Sequence, residues 1–286
     1  VSAQGAAGSA TGNAAGAARQ AGDSDALEWL ARIGLIAYGV VHLLVAWLAL
    51  ELAWGDGGKP ADQSGAMSTL AQQPLGTPLL WVLGVGLIGL AAWQAAEALR
   101  PRAAWSASDK ERGKAILKSV RAVAKAVMYG ALAVLAIRFA TGSGQSSSQS
   151  QRETTAGVLG WPGGRFLIMA VALGLIVVGV VHVRKAFGNR FLKQIDLTEA
   201  PPGAVTLITR LGKAGFPSKG VALALVGGLL GYAALTFDPD KASGLDGAMR
   251  TLLTAPFGRV LLTLIAVGIA AFGAFCLARA RYPERT

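Results

Sequence analysis

The chain has 286 residues, 53% of them hydrophobic and 15% charged, and a mean hydropathy of +0.48; a soluble domain carries about 25% charged residues. A single cysteine, Cys276, excludes an intrachain disulfide framework and any multi-cysteine metal or iron–sulfur centre. The net charge of +11 invites a nucleic-acid reading, which the placement of the basic residues removes below.

Residues 1–28 are mostly Ala, Gly, Ser and other small or polar types, too poor in large apolar side chains to offset the entropy of ordering, and are expected to form a disordered cytoplasmic tail. No short apolar block with a cleavage site precedes the first long one, so a removable leader is not expected. Six segments then approach the roughly 20 apolar residues a transmembrane helix needs: Ile33 to Ala53, Leu79 to Leu99, Val120 to Ala140, Phe166 to Val183, Gly220 to Leu235 and Val260 to Ala278. The third is the weakest, being bounded closely by Lys125 and Arg138, whose long side chains can reach opposite headgroup layers.

With the amino terminus inside, 20 of the 27 Lys and Arg fall on inner segments and 7 on outer ones, against 9 and 7 acidic residues. The positive-inside rule therefore predicts a multi-pass membrane protein with both termini cytoplasmic. The inner excess is what topology and anionic headgroups already require, so no nucleic-acid partner is expected.

The chain repeats itself. GAMSTLAQQPLGTPLLWVLGVG from Gly65 aligns without a gap to GAMRTLLTAPFGRVLLTLIAVG from Gly247. A degenerate middle copy places Pro162, Gly164 and Gly174 where the others have Pro74, Gly76, Gly86 and Pro256, Gly258, Gly268. The preceding spans repeat as GLIAYGVV from Gly34, KAVMYGAL from Lys125 and GFPSKGVA from Gly215, with Gly39, Gly130 and Gly220 in register. Each unit is thus a helix A, an outer loop with a short helix, a Pro-x-Gly lead-in and a helix B. Proline suits the first turn of helix B, where no backbone N–H is needed, and the glycines suit close helix contacts in lipid. The expected fold is all-α and integral to the membrane: six transmembrane helices as three parallel two-helix repeats (29–100, 101–190 and 191–286) with pseudo-threefold symmetry.

These motifs resemble a bacterial, notably actinobacterial, membrane family defined only as a domain of unknown function, number 1206. ARIGLIAYGVV from Ala31, LAQQPLG from Leu70, Trp93 and EALR from Glu97 fit that pattern in the first unit, the third unit fits well and the second poorly. The resemblance implies the fold and carries no activity with it. The Ser-rich stretch from Gly142 to Ser150 marks the middle unit as the most divergent.

Candidate chemistry is sparse. His42 and His182 are the only histidines; their depths differ, so a shared haem is not expected, and His42 reads as a bundle-facing hydrogen-bonding residue. The glycines of GVGLIG from Gly84 lie inside an apolar span and read as helix packing, since a dinucleotide loop must follow a strand. No cofactor or metal is expected. Lys110, Lys114, Lys118 and Arg121 form one face of a basic amphipathic helix leading into span three, expected to meet anionic lipid headgroups at the cytoplasmic face or an acidic partner. No acid, base and nucleophile assemble into a catalytic set, so an enzyme is not expected. The leading expectation is a non-enzymatic scaffold or accessory subunit, packed against another membrane protein or a second copy of itself. The alternative is a small-solute or ion channel or transporter along the pseudo-threefold axis, with Tyr38, His42, Lys125 and Lys219 as its polar pathway.

Overall fold

The computed structural model describes residues 25–99, 109–198 and 200–283. Among them are nine α-helices: α1 (Asp25–Trp54), α2 (Gln63–Ala71), α3 (Gly76–Leu99), α4 (Asp109–Ala140), α5 (Ser147–Leu159), α6 (Gly164–Phe187), α7 (Pro202–Thr236), α8 (Gly244–Leu253) and α9 (Gly258–Arg281). Six of these, α1, α3, α4, α6, α7 and α9, are long and apolar enough to cross a membrane, and a helix satisfies its own amide groups where lipid cannot. The short helices α2, α5 and α8 each lie between the two long helices of a unit and together form one capped end. The opposite end is basic.

Two boundaries differ from the sequence reading. The first helix begins at Asp25, inside the expected tail, whose residues 1–24 lie outside the described residues. The fifth long helix begins at Pro202 and continues through Pro217, well before the expected Gly220. Hydropathy alone ends that span where Lys213, Pro217 and Lys219 interrupt it, but a buried face continues through Gly212, Gly215 and Phe216.

The Pro-x-Gly lead-in has a different physical basis from the one expected. Pro74, Pro162 and Pro256 stand in a turn before helix B, not in its first helical turn. In every unit the glycine amide closes that turn: Gly76 N donates to Gln73 O, Gly164 N to Trp161 O and Gly258 N to Ala255 O, each at 2.9 Å. Proline fits the second position of such a turn because its φ is preset. The third position has positive φ at Gly163 (82°) and Phe257 (59°). Glycine is required at Gly76, Gly164 and Gly258 because a Cβ there would strike the carbonyls of Leu70, Val158 and Leu252 at the end of the preceding short helix.

The long helices pack in a ring of neighbours. Helix B of each unit lies against helix A of the next, as α3 on α4, α6 on α7 and α9 back onto α1. Within units, α1 packs on α3 and α7 on α9, but α4 and α6 make no substantial contact. The expected threefold arrangement is therefore broken in the middle unit. The glycines at the helix crossings differ in the same unit. A Cβ on Gly39 would lie 2.9 Å from Gly273 O, and one on Gly220 would meet the backbone of Gly179, so both A-to-B contacts are backbone-close. At the matching α3–α4 contact Ala91 replaces the second glycine, and a Cβ on Gly130 would meet nothing within 4 Å.

Within units the pattern is the same. Gly86 on α3 faces Gly34 on α1, and Gly268 on α9 faces Ser218 and Ala214 on α7. Gly174, their counterpart on α6, has nothing within 4 Å. The residue standing in the middle unit where the others have Gly34 and Gly215 is Lys125. A Cβ at Gly215 would already lie 2.6 Å from the Phe272 amide nitrogen, so a contact that close has no room for a side chain as long as lysine.

Candidate functional site

The residue preceding the repeated helix-A glycine is Tyr38 in the first unit, Tyr129 in the second and Lys219 in the third. The fold brings all three together. Tyr38 and Tyr129 meet edge to face with ring centroids 5.5 Å apart, and the Lys219 ammonium donates to the Tyr38 hydroxyl oxygen. Lys219 is thus an interior group in the middle of α7 and not the flank of a span. The residues around it compensate its charge without an acid: Phe272 presents its ring centroid at 4.1 Å and Tyr38 at 4.7 Å. Among the described residues no carboxylate pairs with it. Cation–π attraction is strongest where, as here, water is largely removed.

His42 lies one helical turn after Tyr38 and is buried. Its Nδ1 is 2.8 Å from Tyr38 O. A carbonyl only accepts, so Nδ1 carries the proton. That leaves the Nε2 lone pair directed at the Lys219 ammonium, 3.5 Å away. His182 makes the same bond to Val178 O at 2.8 Å but stacks on Phe216 at 5.9 Å, apart from His42. Phe216 also packs against Phe191, Phe272 and Phe275 at 5.3–5.4 Å, and this aromatic layer closes the cluster toward the basic end.

Toward the capped end a cavity of about 210 Å³ opens above Lys219 and His42. Its upper rim is polar: Asp62 and Gln63 at the start of α2, and Ser147 and Gln151 on α5. Its wall is aliphatic, from Val45, Leu223, Val226, Leu245 and Ile269. Asp62 caps α2, its Oδ1 accepting from the amides of Ser64 at 2.9 Å and Gly65 at 3.0 Å and from the Ser64 hydroxyl at 2.5 Å. Its Oδ2 is buried with no hydrogen-bond partner. Burial, partly offset by those donated bonds, raises the Asp62 carboxyl above the usual carboxylate range. The rim is held by a clip between units: Asp246 Oδ1 accepts from Ala61 N at 2.8 Å, and Arg250 bonds both Asp246 at 2.9 Å and Gly57 O at 3.1 Å. Ser147 N donates to the Ser64 hydroxyl oxygen at 3.1 Å, so all three units shape the rim.

Of the expected pathway residues, Tyr38, His42 and Lys219 come together and Lys125 does not. Lys125 is exposed on α4 and lies within electrostatic reach of Arg121, Lys185, Arg279 and Glu97 near the basic end. Lys118 and Arg121 are exposed, and Lys118 pairs with Glu97 on α3 at 2.6 Å; the side chains of Lys110 and Lys114 lie outside the described residues. Sequence reasoning missed Tyr129, although it stands in the same register as Tyr38 and Lys219. It also missed Asp62 and Asp246, which nothing in the local pattern distinguishes from loop acids.

Among the described residues no three His, Cys, Asp or Glu side chains converge as a metal site. No solved structure matches the chain. "Uncharacterized protein YxxB" of Bacillus subtilis (strain 168) is 30% identical over 255 residues, covering 89% of this chain and 90% of that protein. A family model described as Domain of Unknown Function (DUF1206) matches three times, at residues 33–100, 120–188 and 214–283, each match taking in the two long helices of one unit. The chain is a multi-pass membrane protein of three helical repeats, and it belongs to the DUF1206 family.

Proposed function

We propose that the protein binds a small organic anion in the cavity above Lys219 and moves it across the bacterial plasma membrane, without chemistry on the solute. The observation that carries this reading is an interior lysine that, among the described residues, has no acidic partner, at the floor of a cavity whose opposite rim is polar. A buried charge in lipid is costly, and one lacking a counter-ion has a use for an anionic visitor. The aliphatic wall suits a short hydrocarbon body, and the polar rim at Gln63, Ser147 and Gln151 suits a hydrogen-bonding group at the solute's other end. The distribution of Lys and Arg supports an orientation with the capped end outside and both termini in the cytoplasm.

Thermal unfolding of the purified protein with butyrate, 4-hydroxybutyrate and n-butylamine tests this. A ligand that binds only the folded state raises the melting temperature with its concentration. The two carboxylates are expected to stabilise, the hydroxylated one more, and the amine not at all. Lys219→Met is expected to weaken carboxylate binding at least tenfold and to abolish uptake into proteoliposomes. Stabilisation that persists in Lys219→Met removes the site, and binding without uptake reduces the protein to a sensor.

A scaffold or accessory-subunit role is favoured by a different observation, the apolar faces that α4 and α6 leave uncovered. It requires a membrane protein that copurifies in mild detergent and is released by polar substitutions on those faces.

A further inference from the structure

We infer that the slot between α4 and α6 holds one anionic phospholipid, with its phosphate between Lys125 and Lys185 at the basic end and its acyl chains along the apolar surfaces above. Three observations converge on that occupant. First, the faces that should meet within a unit are open only here. Gly268 and Phe272 on α9 pack against Ser218 and Gly215 on α7. Their counterparts Gly174 and Val178 on α6, and Met128 and Lys125 on α4, are all exposed. Val178 is 44% exposed where Phe272 is 6%, so the slot stands where the other units have a helix contact and this one lacks it.

Second, the mouth of the slot gathers cations. Lys125 on α4 and Lys185 on α6 are within electrostatic reach of each other, and the Lys185 ammonium stands 5.7 Å from the Phe216 ring centroid on α7. Arg121 lies one turn below Lys125, and each lysine is within electrostatic reach of Arg121 and of Arg279 on α9. Glu97 is the nearby acid, and it already pairs with Lys118 at 2.6 Å. Among the described residues neither Lys125 nor Lys185 forms an ion pair. Like charges held around one opening in a low-dielectric setting repel unless an anion lies between them.

Third, the order of the two surfaces matches a phospholipid. Lysines lie at the basic end, where headgroups lie. Met128, Val171, Gly174 and Val178 follow toward the middle of the membrane, where an acyl chain lies. Free phosphate would satisfy the lysines but leave the apolar slot unfilled. The residue at the close-approach register, Lys125, is then also the one that binds what fills the gap.

Native mass spectrometry of the full chain in mild detergent, titrated with phosphatidylglycerol and phosphatidylcholine, measures this directly. One phosphatidylglycerol per chain is expected to be retained at least tenfold more strongly than phosphatidylcholine. Lys125→Gln and Lys185→Gln, each checked for a monodisperse peak, are each expected to erase most of that preference. A cysteine pair at the slot, Met128→Cys with Gly174→Cys in a Cys276→Ala background, is expected to resist oxidation, and to cross-link once Lys125→Gly restores the small residue of the other units. Equal retention of the two lipids, a preference indifferent to both lysines, ready cross-linking without Lys125→Gly, or a second copy of the chain held across the slot would each overturn the proposal. Lys219→Met is expected to leave lipid retention unchanged, which separates this site from the cavity.

Discussion

The third unit and the middle unit are built from the same pattern and end differently. In the third, α7 and α9 lie in backbone contact at Gly215 and Gly268, with Ile265, Ile269 and Phe272 buried between helices. In the middle unit the corresponding Val171 and Val178 face outward, and α4 and α6 stand apart. The lesson concerns lipid as a solvent. Because lipid tails are as apolar as leucine, exposing a valine costs little, and what holds two helices together is how closely their backbones approach. Where a lysine stands at the close-approach position the contact is absent, while each helix is intact.

Substitutions that exchange the properties of the two regions test this, and the largest effects are expected on the tight side. Gly39→Leu or Gly179→Leu forces a side chain into the backbone of Gly273 or Gly220. Each is expected to destabilise by about 3 kcal/mol or more, at the upper end of overpacking penalties, and to scatter the protein on size exclusion. Gly174→Leu, in the open slot, should change the melting temperature in detergent little, the difference staying within about 1 kcal/mol. Equal damage at Gly39 and Gly174 would mean that the middle unit is packed after all.

Next in size is the truncation of matched residues. Phe272→Ala removes a ring that touches Tyr38, His42 and Lys219 and is expected to cost about 3 kcal/mol. Val178→Ala, at the same register in the middle unit, is expected to stay within about 0.5 kcal/mol. Calorimetry in the same detergent compares the two.

At the capped end, Asp246→Ala strands the buried Ala61 amide and is expected to cost about 1–3 kcal/mol. The smallest effect concerns Asp62. A carboxyl whose folded pKa is raised binds its proton more tightly when folded. Its contribution to stability therefore falls as pH rises from its ordinary value of 3.8 toward the raised one, and is lowest above that. Asp62→Asn keeps an N-cap side chain that serves α2 nearly as well and removes the titration. It is expected to match or slightly exceed the native protein at neutral pH and to flatten the pH dependence of melting through that window, whereas Asp62→Ala loses about 1 kcal/mol. Because Asp246 also raises the Asp62 carboxyl, the flattening should be measured with Asp246 intact.

The six crossings, the three units and the repeated glycines and prolines were legible because each depends on local pattern: runs of apolar residues, and identical residues at one spacing. The start of α7 was not, since Pro217 and Lys219 break the hydropathy run while the buried face continues beneath them. The site was half legible. Tyr38, His42 and Lys219 stood out as polar residues in or near spans, but Lys125 was placed on the same pathway. The register of the repeated glycine pairs Lys219 with Tyr129, and Lys125 with the close-approach glycines Gly34 and Gly215.

The order of residues alone thus determined that this polymer crosses the membrane as a tripled hairpin, because the hydrogen-bonding need of the backbone in lipid leaves no other economical form for such apolar runs. Tertiary structure alone decided which copies close, where the lysine charge ends up and which loop acid guards the cavity. Those outcomes depend on distances between helices far apart in the chain, which local pattern does not carry.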